Sequence, residues 1–223
     1  MSSLPALRRA TSELSWLLSR GYQQKSAVKL VGDRHSLRER QRLAVARAAC
    51  SDASLARRAA RRLSLGDVRG ADLIVDGFNV VIAVEAALGG GVLVRGRDGC
   101  VRDMSSVHGS YRAVEETERA VLLVGEALEA LGPASALWLI DRPVSNSGRL
   151  AERIRRLAAE RRWPWEVAVE FNPDREIVGS GRVAVTSDSN VLDGARRWVN
   201  LNEHLVERHL PSAWVIDLSG ADG

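Results

Sequence analysis

An aspartate follows each of four short apolar runs in the last two-thirds of the chain, and segments with helical periodicity separate these runs. The four aspartates are Asp76, Asp141, Asp188 and Asp217. Strand-sized runs that alternate with helices are typical of a parallel α/β sheet. Because the carboxyl ends of parallel strands lie at one edge of a sheet, the pattern predicts that all four aspartates share that edge.

The same stretch predicts the strands and the helices that cover them. Five strands begin near Leu73, Ala136, Trp165, Val183 and Trp214. Helices are expected over residues 111–131, 148–162, 191–200 and 203–209, and a small hairpin is expected over residues 92–101. The sequence therefore predicts an α/β fold with a parallel sheet of about five strands and helices on both faces.

The first 70 residues differ from the remainder in pattern and in charge. They carry 15 basic and 5 acidic side chains, against 17 and 23 in the rest of the chain. Their apolar spacing predicts helices only, one of them starting at a capping box formed by Ser36 and Glu39. This asymmetry divides the chain into a small, all-helical basic module, residues 1–68, and an acidic α/β domain, residues 69–223.

Arginines in the basic module are predicted to face a polyanion. Neighbouring like charges one helical turn apart, such as Arg57 and Arg61, repel each other unless an anion lies nearby. Arginines that neutralise phosphates supply affinity that is sensitive to salt and largely independent of sequence. Structured RNA is the first choice of partner and DNA the second. The predicted contacts are Arg34, Arg38, Arg42, Arg57, Arg58, Arg61 and Arg62 in the module, with Arg112 and Arg142 in the α/β domain.

Other sequence features exclude several classes of protein. No apolar run approaches the roughly 20 residues that a membrane-spanning helix needs. The first residues lack the apolar core of a secretion signal, so a cytoplasmic location is expected. Cys50 and Cys100 are too few for a disulfide framework or a cysteine-based zinc site. No G-x-x-x-x-G-K-[ST] loop is present and no G-x-G-x-x-G follows a strand, which disfavours nucleotide cofactors.

Carboxylates at the ends of adjacent strands favour a divalent cation. Neighbouring strands lie about 4.8 Å apart, so their terminal carboxylates can share one ion. Without a cation they repel one another in a partly dry cleft. Mg²⁺ or Mn²⁺ is the usual partner of such oxygen ligands. The alternative for any single aspartate is that it caps the helix that follows it.

Two short motifs resemble those of a known superfamily. Asp76-Gly77-Phe78-Asn79 has the form D-G-x-N, and Thr186-Ser187-Asp188 has the form T-x-D. With these motifs, residues 71–217 resemble the PIN-like nucleases, particularly their NYN-type branch, which implies a Rossmann-like PIN-type sheet with acidic residues around Mg²⁺ or Mn²⁺. The whole chain also resembles the uncharacterised "domain of unknown function 434" proteins, through residues 26–34 of the basic module.

The PIN-like resemblance implies roles for individual residues. Asp76 matches the first metal-binding aspartate, with Asn79 close behind it. Asp188 matches the T-x-D aspartate and Thr186 supports it. Glu118 is the chosen acidic residue on the intervening helix, ahead of Glu115.

The chain departs from the superfamily two residues after the T-x-D aspartate. Asn190 stands where many members have a further aspartate, so Asp193 or Asp217 would have to replace it. Asp141 is a further candidate ligand, or positions Arg142. His108, on a polar loop, is a candidate phosphate contact. Glu85 on an apolar helix either faces the cleft or solvent.

The predicted function is that of a metal-dependent endoribonuclease. Asp76, Glu118, Asp141 and Asp188 are its predicted catalytic residues. The predicted metal ligands are Asp76, Asp141, Asp188 and Asp193. The main alternative is a non-catalytic RNA- or DNA-binding protein that keeps the fold. A phosphatase with Asp76 as nucleophile is disfavoured, because Phe78 stands where many such enzymes have a second aspartate. A homodimer is left open.

Overall fold

The computed structural model describes residues 4–105 and 115–220. Four helices form the N-terminal module: α1 (Leu4–Ser19), α2 (Gln24–Arg34), α3 (Glu39–Ala48) and α4 (Asp52–Arg61). The apolar faces of α1–α3 share a small core that includes Leu14, Val31 and Val45. Val94 and Leu218 of the α/β part join that core, so the module packs directly against the α/β part.

Helix α3 begins two residues later than the capping box of Ser36 and Glu39 predicts. Ser36 has a φ of 49°, in the left-handed region, whereas a helix N-cap normally has an extended backbone. Arg38 takes the N-cap position instead, and its backbone N–H donates to the side-chain oxygen of Gln41 at 3.0 Å.

A five-stranded parallel sheet forms the centre of the α/β part, after a short 3-10 helix (Leu65–Val68). In spatial order its strands are β5 (Trp165–Glu170), β4 (Ser135–Asp141), β1 (Asp72–Asp76), β6 (Val183–Val185) and β7 (Trp198–Val199). Successive side chains of β1 point to opposite faces. Leu73 and Val75 enter the larger core, whereas Ile74 enters a smaller one.

Helices cover both faces of this sheet. The larger core lies against α5 (Gly77–Leu88), α6 (Glu116–Leu131), α7 (Ser147–Arg161) and α10 (Leu201–His209). The smaller core lies against α8 (Pro173–Gly179) and α9 (Ser189–Gly194). The predicted α/β class, the parallel sheet of five strands and the preceding helical module are therefore confirmed.

A second, three-stranded sheet corrects one prediction. It consists of the predicted hairpin, β2 (Val92–Arg95) and β3 (Val101–Asp103), with β8 (Trp214–Asp217) paired parallel to β2. The fifth strand of the main sheet is β7, which the sequence assigned to a helix. Asp217 therefore ends a strand of the other sheet and does not share the edge with the other three aspartates. Its carboxylate accepts hydrogen bonds from Ser219.

None of the helices in residues 4–105 and 115–220 has the length and apolar character needed to span a membrane.

Candidate active site at the carboxyl edge of the sheet

Asp76 is placed by the central strand of the main sheet. Strand β1 lies between β4 and β6, and α5 starts at the next residue, Gly77. A Cβ atom at position 77 would lie 2.3 Å from Cδ1 of Ile140 and 2.9 Å from the carbonyl oxygen of Leu139. Only glycine fits this close approach, so it lets the chain turn into α5 directly at the edge. Asp76 is left half-buried at the end of its strand.

Hydrogen bonds join the D-G-x-N and T-x-D motifs. The Thr186 hydroxyl donates to Oδ2 of Asp76 at 2.8 Å and accepts the backbone N–H of Asp188 at 3.0 Å. Oδ1 of Asn79 accepts both the backbone N–H of Ser187, at 2.7 Å, and its hydroxyl, at 2.9 Å. The structure thus brings together Asp76, Asn79, Thr186 and Asp188, which the sequence assigned to one site.

Asp188 also caps the helix that follows it. Its Oδ1 accepts the backbone N–H groups of Asn190, at 2.8 Å, and Val191, at 3.2 Å. Both bonds use the same oxygen, and Oδ2 takes part in neither. Capping and a role at the edge are therefore compatible for this half-buried carboxylate. Asn190 itself is exposed.

Two further aspartates extend the site, and we call Asp76, Asp141, Asp174 and Asp188 the edge carboxylates. Asp141 ends β4, next to β1. Asp174, which the sequence analysis missed, lies in the first turn of α8, directly after β5. It lies four residues beyond the end of β5, whereas Asp76 and Asp141 are the last residues of their strands, so it does not follow an apolar run directly in the sequence.

The charges of the edge carboxylates act on one another. Burial raises the pKa of Asp76 and the hydrogen bond from Thr186 opposes that rise; together with the negative charges of Asp188 and Asp174, the pKa reaches about 7. Burial also raises the pKa of Asp174, with contributions from Asp188 and Asp141. Burial alone raises the pKa of Asp141. Within residues 4–105 and 115–220, none of the four forms an ion pair with lysine, arginine or histidine.

Two nearby aspartates have the opposite environment, and we call Asp98 and Asp193 the arginine-held carboxylates. Arg58, whose side chain is only 4% exposed, reaches Asp98 at 2.6 Å and Asp193 at 2.9 Å. Arg102 also pairs with Asp98, at 2.7 Å. Although burial opposes it, the charges and hydrogen bonds of Arg102 and Arg58 lower the pKa of Asp98 to about 2.

This arrangement corrects the roles predicted for Asp193 and Arg58. Asp193 is neutralised by Arg58 and by Arg57, which lies at 3.3 Å. It therefore differs from the edge carboxylates, which form no ion pair in the described residues. Arg58 is an interior ion-pair residue and not a surface contact for nucleic acid. Asp98 and Asp193 are 40 and 135 residues away from Arg58 in the sequence, so the local pattern of arginines in α4 could not indicate this pairing.

Two further predicted arginines, Arg61 in the last turn of α4 and Arg62 at its C-cap, also bind the α/β part. The Arg61 guanidinium donates to the backbone oxygens of Asp193, at 3.2 Å, and Ala195, at 3.0 Å. Arg62 pairs with Glu203 of α10. The like charges that predicted a polyanion surface on α4 are thus compensated within the chain.

Cations on α1–α3 are arranged differently. Arg34 lies 3.5 Å from Glu13, and Arg42 lies 2.7 Å from Asp33, so both predicted contacts have an acidic neighbour. Other exposed cations form no ion pair within the described part of the chain. They are Arg9, Arg20, Lys25, Lys29, Arg38 and Arg40.

The remaining predicted acids lie elsewhere. Glu118, in the first turn of α6, pairs with Arg156 of α7 at 2.8 Å, and both side chains are about half exposed, so Glu118 has a cation partner that the edge carboxylates lack. Glu85 is buried and accepts a hydrogen bond from the Thr117 hydroxyl, so it faces α6 instead of the cleft or solvent. Glu115 is exposed at the start of α6.

Arg142 lies directly at the edge, one residue beyond Asp141. Its backbone N–H donates to the carbonyl oxygen of Glu170 at 2.7 Å, and its guanidinium lies 4.5 Å from the ring centre of Phe171. Arg112 and His108, the other predicted phosphate contacts, lie outside the described residues.

The donor set at the edge suits a hard cation. Mg²⁺ is commonly bound through one or two carboxylates while it keeps several water ligands, and Asp76 and Asp188 could supply two carboxylates. Among residues 4–105 and 115–220, however, no three His, Cys, Asp or Glu side chains are grouped so that they could hold a metal ion. The chemistry of the donors therefore fits Mg²⁺ or Mn²⁺ held mainly by two side chains and water, and not a closed protein cage.

A cavity of about 440 Å³ opens beside this edge. The basic module forms one wall, with Gln24 of α2 and Arg47 of α3, and the other wall includes Asn79, Ser187 and Asp188. The basic module therefore borders the candidate site.

Comparison with known proteins assigns the chain to a family. Residues 65–204 match the model of a family described as "Domain of unknown function (DUF5616)", over well more than half of the chain. The chain belongs to the DUF5616 family. Ahead of the DUF5616 domain, residues 6–61 match "Protein of unknown function (DUF434)", which confirms the resemblance that residues 26–34 indicated.

One curated relative spans both parts. An uncharacterized protein of Methanocaldococcus jannaschii is 30% identical over 187 residues, which cover 84% of this chain and 89% of the relative. No solved structure matches the chain. Neither family description states an activity, so the PIN-like resemblance of the DUF5616 domain stays a prediction.

Proposed function

We propose that the chain is a metal-dependent endoribonuclease whose active site is the group of edge carboxylates. The observation that carries the proposal is the environment of Asp76. It is half-buried, its pKa is raised to about 7, and the charges of Asp174 and Asp188 act on it without an ion pair in the described residues. Carboxyl groups whose pKa is strongly shifted by burial and by neighbouring charges cluster at functional sites.

Asp76 and Asp188 are the proposed cation ligands. Thr186 contacts both residues and holds the Asp76 carboxylate in place, while Asn79 fixes the backbone between them. Asp141 and Asp174 add negative charge around the pair. A bound divalent cation supplies Lewis-acid activation of water and of the phosphodiester.

RNA is the proposed substrate, with DNA as second choice. The exposed cations of α1–α3 that lack ion pairs are suited to phosphate contacts, since each neutralised phosphate releases counterions. The module borders the cavity beside the edge, so RNA held on α1–α3 would pass close to the carboxylates. Within the module, the proposed RNA surface is therefore limited to α1–α3 and excludes the predicted contacts on α4.

A non-catalytic RNA- or DNA-binding protein is the second candidate. Asn190 stands where a further acidic ligand is expected from the PIN-like resemblance. The described residues also lack a group of three potential metal ligands. This candidate predicts binding of RNA without cleavage.

Cleavage of a mixed labelled pool tests the proposal. The pool contains single-stranded RNA, structured RNA and DNA, incubated with Mg²⁺, Mn²⁺ or EDTA. We expect Mn²⁺- or Mg²⁺-dependent cleavage of RNA that is lost in Asp76→Asn and in EDTA. The matched control is Asp217→Asn, which changes a strand-terminal aspartate of the other sheet and should cleave as wild type does. Binding without cleavage by wild-type protein would instead support the second candidate.

A further inference from the structure

Phe171 is the most exposed large apolar side chain in the described residues, with 68% of its surface accessible. It follows β5 directly, at the same edge of the sheet as the carboxylates. It belongs to none of the hydrophobic cores of the described residues. Its packing therefore gives no structural reason for an aromatic residue at this position.

The loop that carries Phe171 is held firmly by its neighbours. Pro173 is buried at the start of α8, and Oδ1 of Asn172 accepts the backbone N–H of Arg175 at 3.2 Å. On the other side, the Arg142 N–H bonds the carbonyl oxygen of Glu170 at 2.7 Å. The ring thus stands in a defined place just beyond the ends of β4 and β5.

Arg142 pairs with the ring. Its guanidinium carbon lies 4.5 Å from the ring centre of Phe171, and its side chain forms no ion pair with the described acidic residues. The pair is close to the site in sequence and in space. Arg142 follows Asp141, and Phe171 precedes Asp174 by three residues.

An exposed aromatic ring beside a cation that has no acidic partner among the described residues has the chemistry of a nucleotide subsite. Base stacking on an aromatic ring contributes to binding of single strands regardless of base identity, and an adjacent cation contacts the phosphate. A base inside a duplex is already stacked on both faces, so it cannot use such a ring. The positive charge of Arg142 also offsets the repulsion between the edge carboxylates and an incoming phosphate.

We propose that Phe171 and Arg142 form a subsite that stacks one unpaired base and contacts its phosphate beside the edge carboxylates. The substrate of the proposed nuclease is therefore single-stranded at the point of cleavage, including single-stranded stretches of a structured RNA. This inference rests on the proposed function for its catalytic meaning, but the subsite itself makes a prediction about binding alone.

Binding of labelled oligouridine tests the subsite in the presence of EDTA, where cleavage is absent. Phe171→Ala should weaken binding by about 5- to 160-fold, the range that base–aromatic stacking supplies. Phe171→Trp should restore most of the affinity, because any aromatic ring can stack. Trp214→Ala is the matched control, since Trp214 is 60% exposed on β8 of the other sheet and should bind as wild type does.

An oligomer of the same length with abasic residues separates stacking from charge. Wild type should bind it more weakly than oligouridine, by about the factor that Phe171→Ala costs, whereas Phe171→Ala should bind the two probes nearly equally. An RNA duplex should bind wild type and Phe171→Ala alike. Equal binding of the base-containing and abasic probes by wild type, no binding of oligouridine by wild type, or equal losses in Phe171→Ala and Trp214→Ala, would overturn the subsite.

Cleavage data keep the two proposals apart. Binding that depends on Phe171 without any metal-dependent cleavage would retain the subsite and reject the nuclease. Cleavage that depends on Asp76, together with binding that is unchanged in Phe171→Ala, would support the nuclease proposal and reject the subsite.

Discussion

The edge carboxylates and the arginine-held carboxylates are neighbours with opposite electrostatics. Asp188 caps the start of α9 and Asp193 lies near its end, yet only Asp193 is held by arginines. The pKa of Asp98 is lowered by Arg102 and Arg58 against the effect of burial, whereas the pKa of Asp76 is raised by burial. Burial acts to raise the carboxyl pKa in both groups. The presence of an arginine partner therefore decides which carboxylates hold the structure together and which are available for a ligand.

Arg102 links the two groups physically. It pairs with Asp98, and its Nε donates to the carbonyl oxygen of Ser187 at 2.7 Å. Arg58, on α4 of the basic module, also pairs with Asp98. The module therefore supports the segment that carries Asp188 through buried ion pairs, and its α4 arginines serve the fold and not the surface.

The largest effect is expected from Asp98→Asn. This change leaves Arg58 and Arg102, two buried guanidinium groups, without their shared carboxylate, and breaking a buried ion pair in this way costs about 3–5 kcal/mol. Urea unfolding measures the loss. Asp52→Asn is the control, because Asp52 pairs with Arg97 at the surface and should change the unfolding free energy little. Equal losses in the two variants would contradict the structural role of the arginine-held group.

The same substitution at Asp76 is expected to act in the opposite direction. A carboxyl whose folded pKa is about 7, above its usual 3.8, makes the folded state lose stability as pH rises from about 4 to about 7, because the unfolded chain releases the proton first. Asp76→Asn should remove this fall and raise the free energy of unfolding at pH 8 relative to wild type.

Unfolding free energies measured without divalent cations from pH 4 to pH 8 check this prediction. Asp217→Asn is the comparison, since the pKa of Asp217 is lowered, chiefly by hydrogen bonds from Ser219 that overcome burial. A wild-type curve that does not fall between pH 4 and pH 7, or a variant that falls in parallel with it, would contradict the raised pKa of Asp76.

A smaller effect is expected from cations on α1–α3. Reversing the charge of Lys25, Lys29, Arg38 and Arg40 should weaken RNA binding and flatten its dependence on salt. The log–log slope should fall by about 0.7–0.9 for each phosphate that the variant no longer neutralises. Arg57→Glu with Arg61→Glu, on α4, should leave the slope unchanged in molecules that remain folded. Filter binding over a range of salt concentrations distinguishes the two surfaces, and a slope that changes only in the α4 variant would place the RNA contacts on α4 and contradict the proposed surface.

Local sequence patterns predicted the sheet and its two linked motifs. Asp76 and Asp188 follow apolar runs directly, and the parallel arrangement brings such ends together. The pattern could not show that β8 pairs with β2, because the choice of a pairing strand depends on contacts between distant segments. For the same reason Arg58, which meets Asp98 and Asp193 only in the folded chain, looked like a surface cation. Asp174 was missed because Asn172 and Pro173 delay the helix after β5.

Mn²⁺ titration of wild type, Asp188→Asn and Asp193→Asn tests the central claim most directly, because Asp188 caps the start of α9, Asp193 lies near its end, and only Asp193 is held by arginines. Electron paramagnetic resonance counts free Mn²⁺ in each titration. We expect wild type and Asp193→Asn to bind the ion and Asp188→Asn to lose it. Binding that is lost in Asp193→Asn but kept in Asp188→Asn, or no binding by the wild-type protein, would contradict the assignment of the edge carboxylates as the cation site.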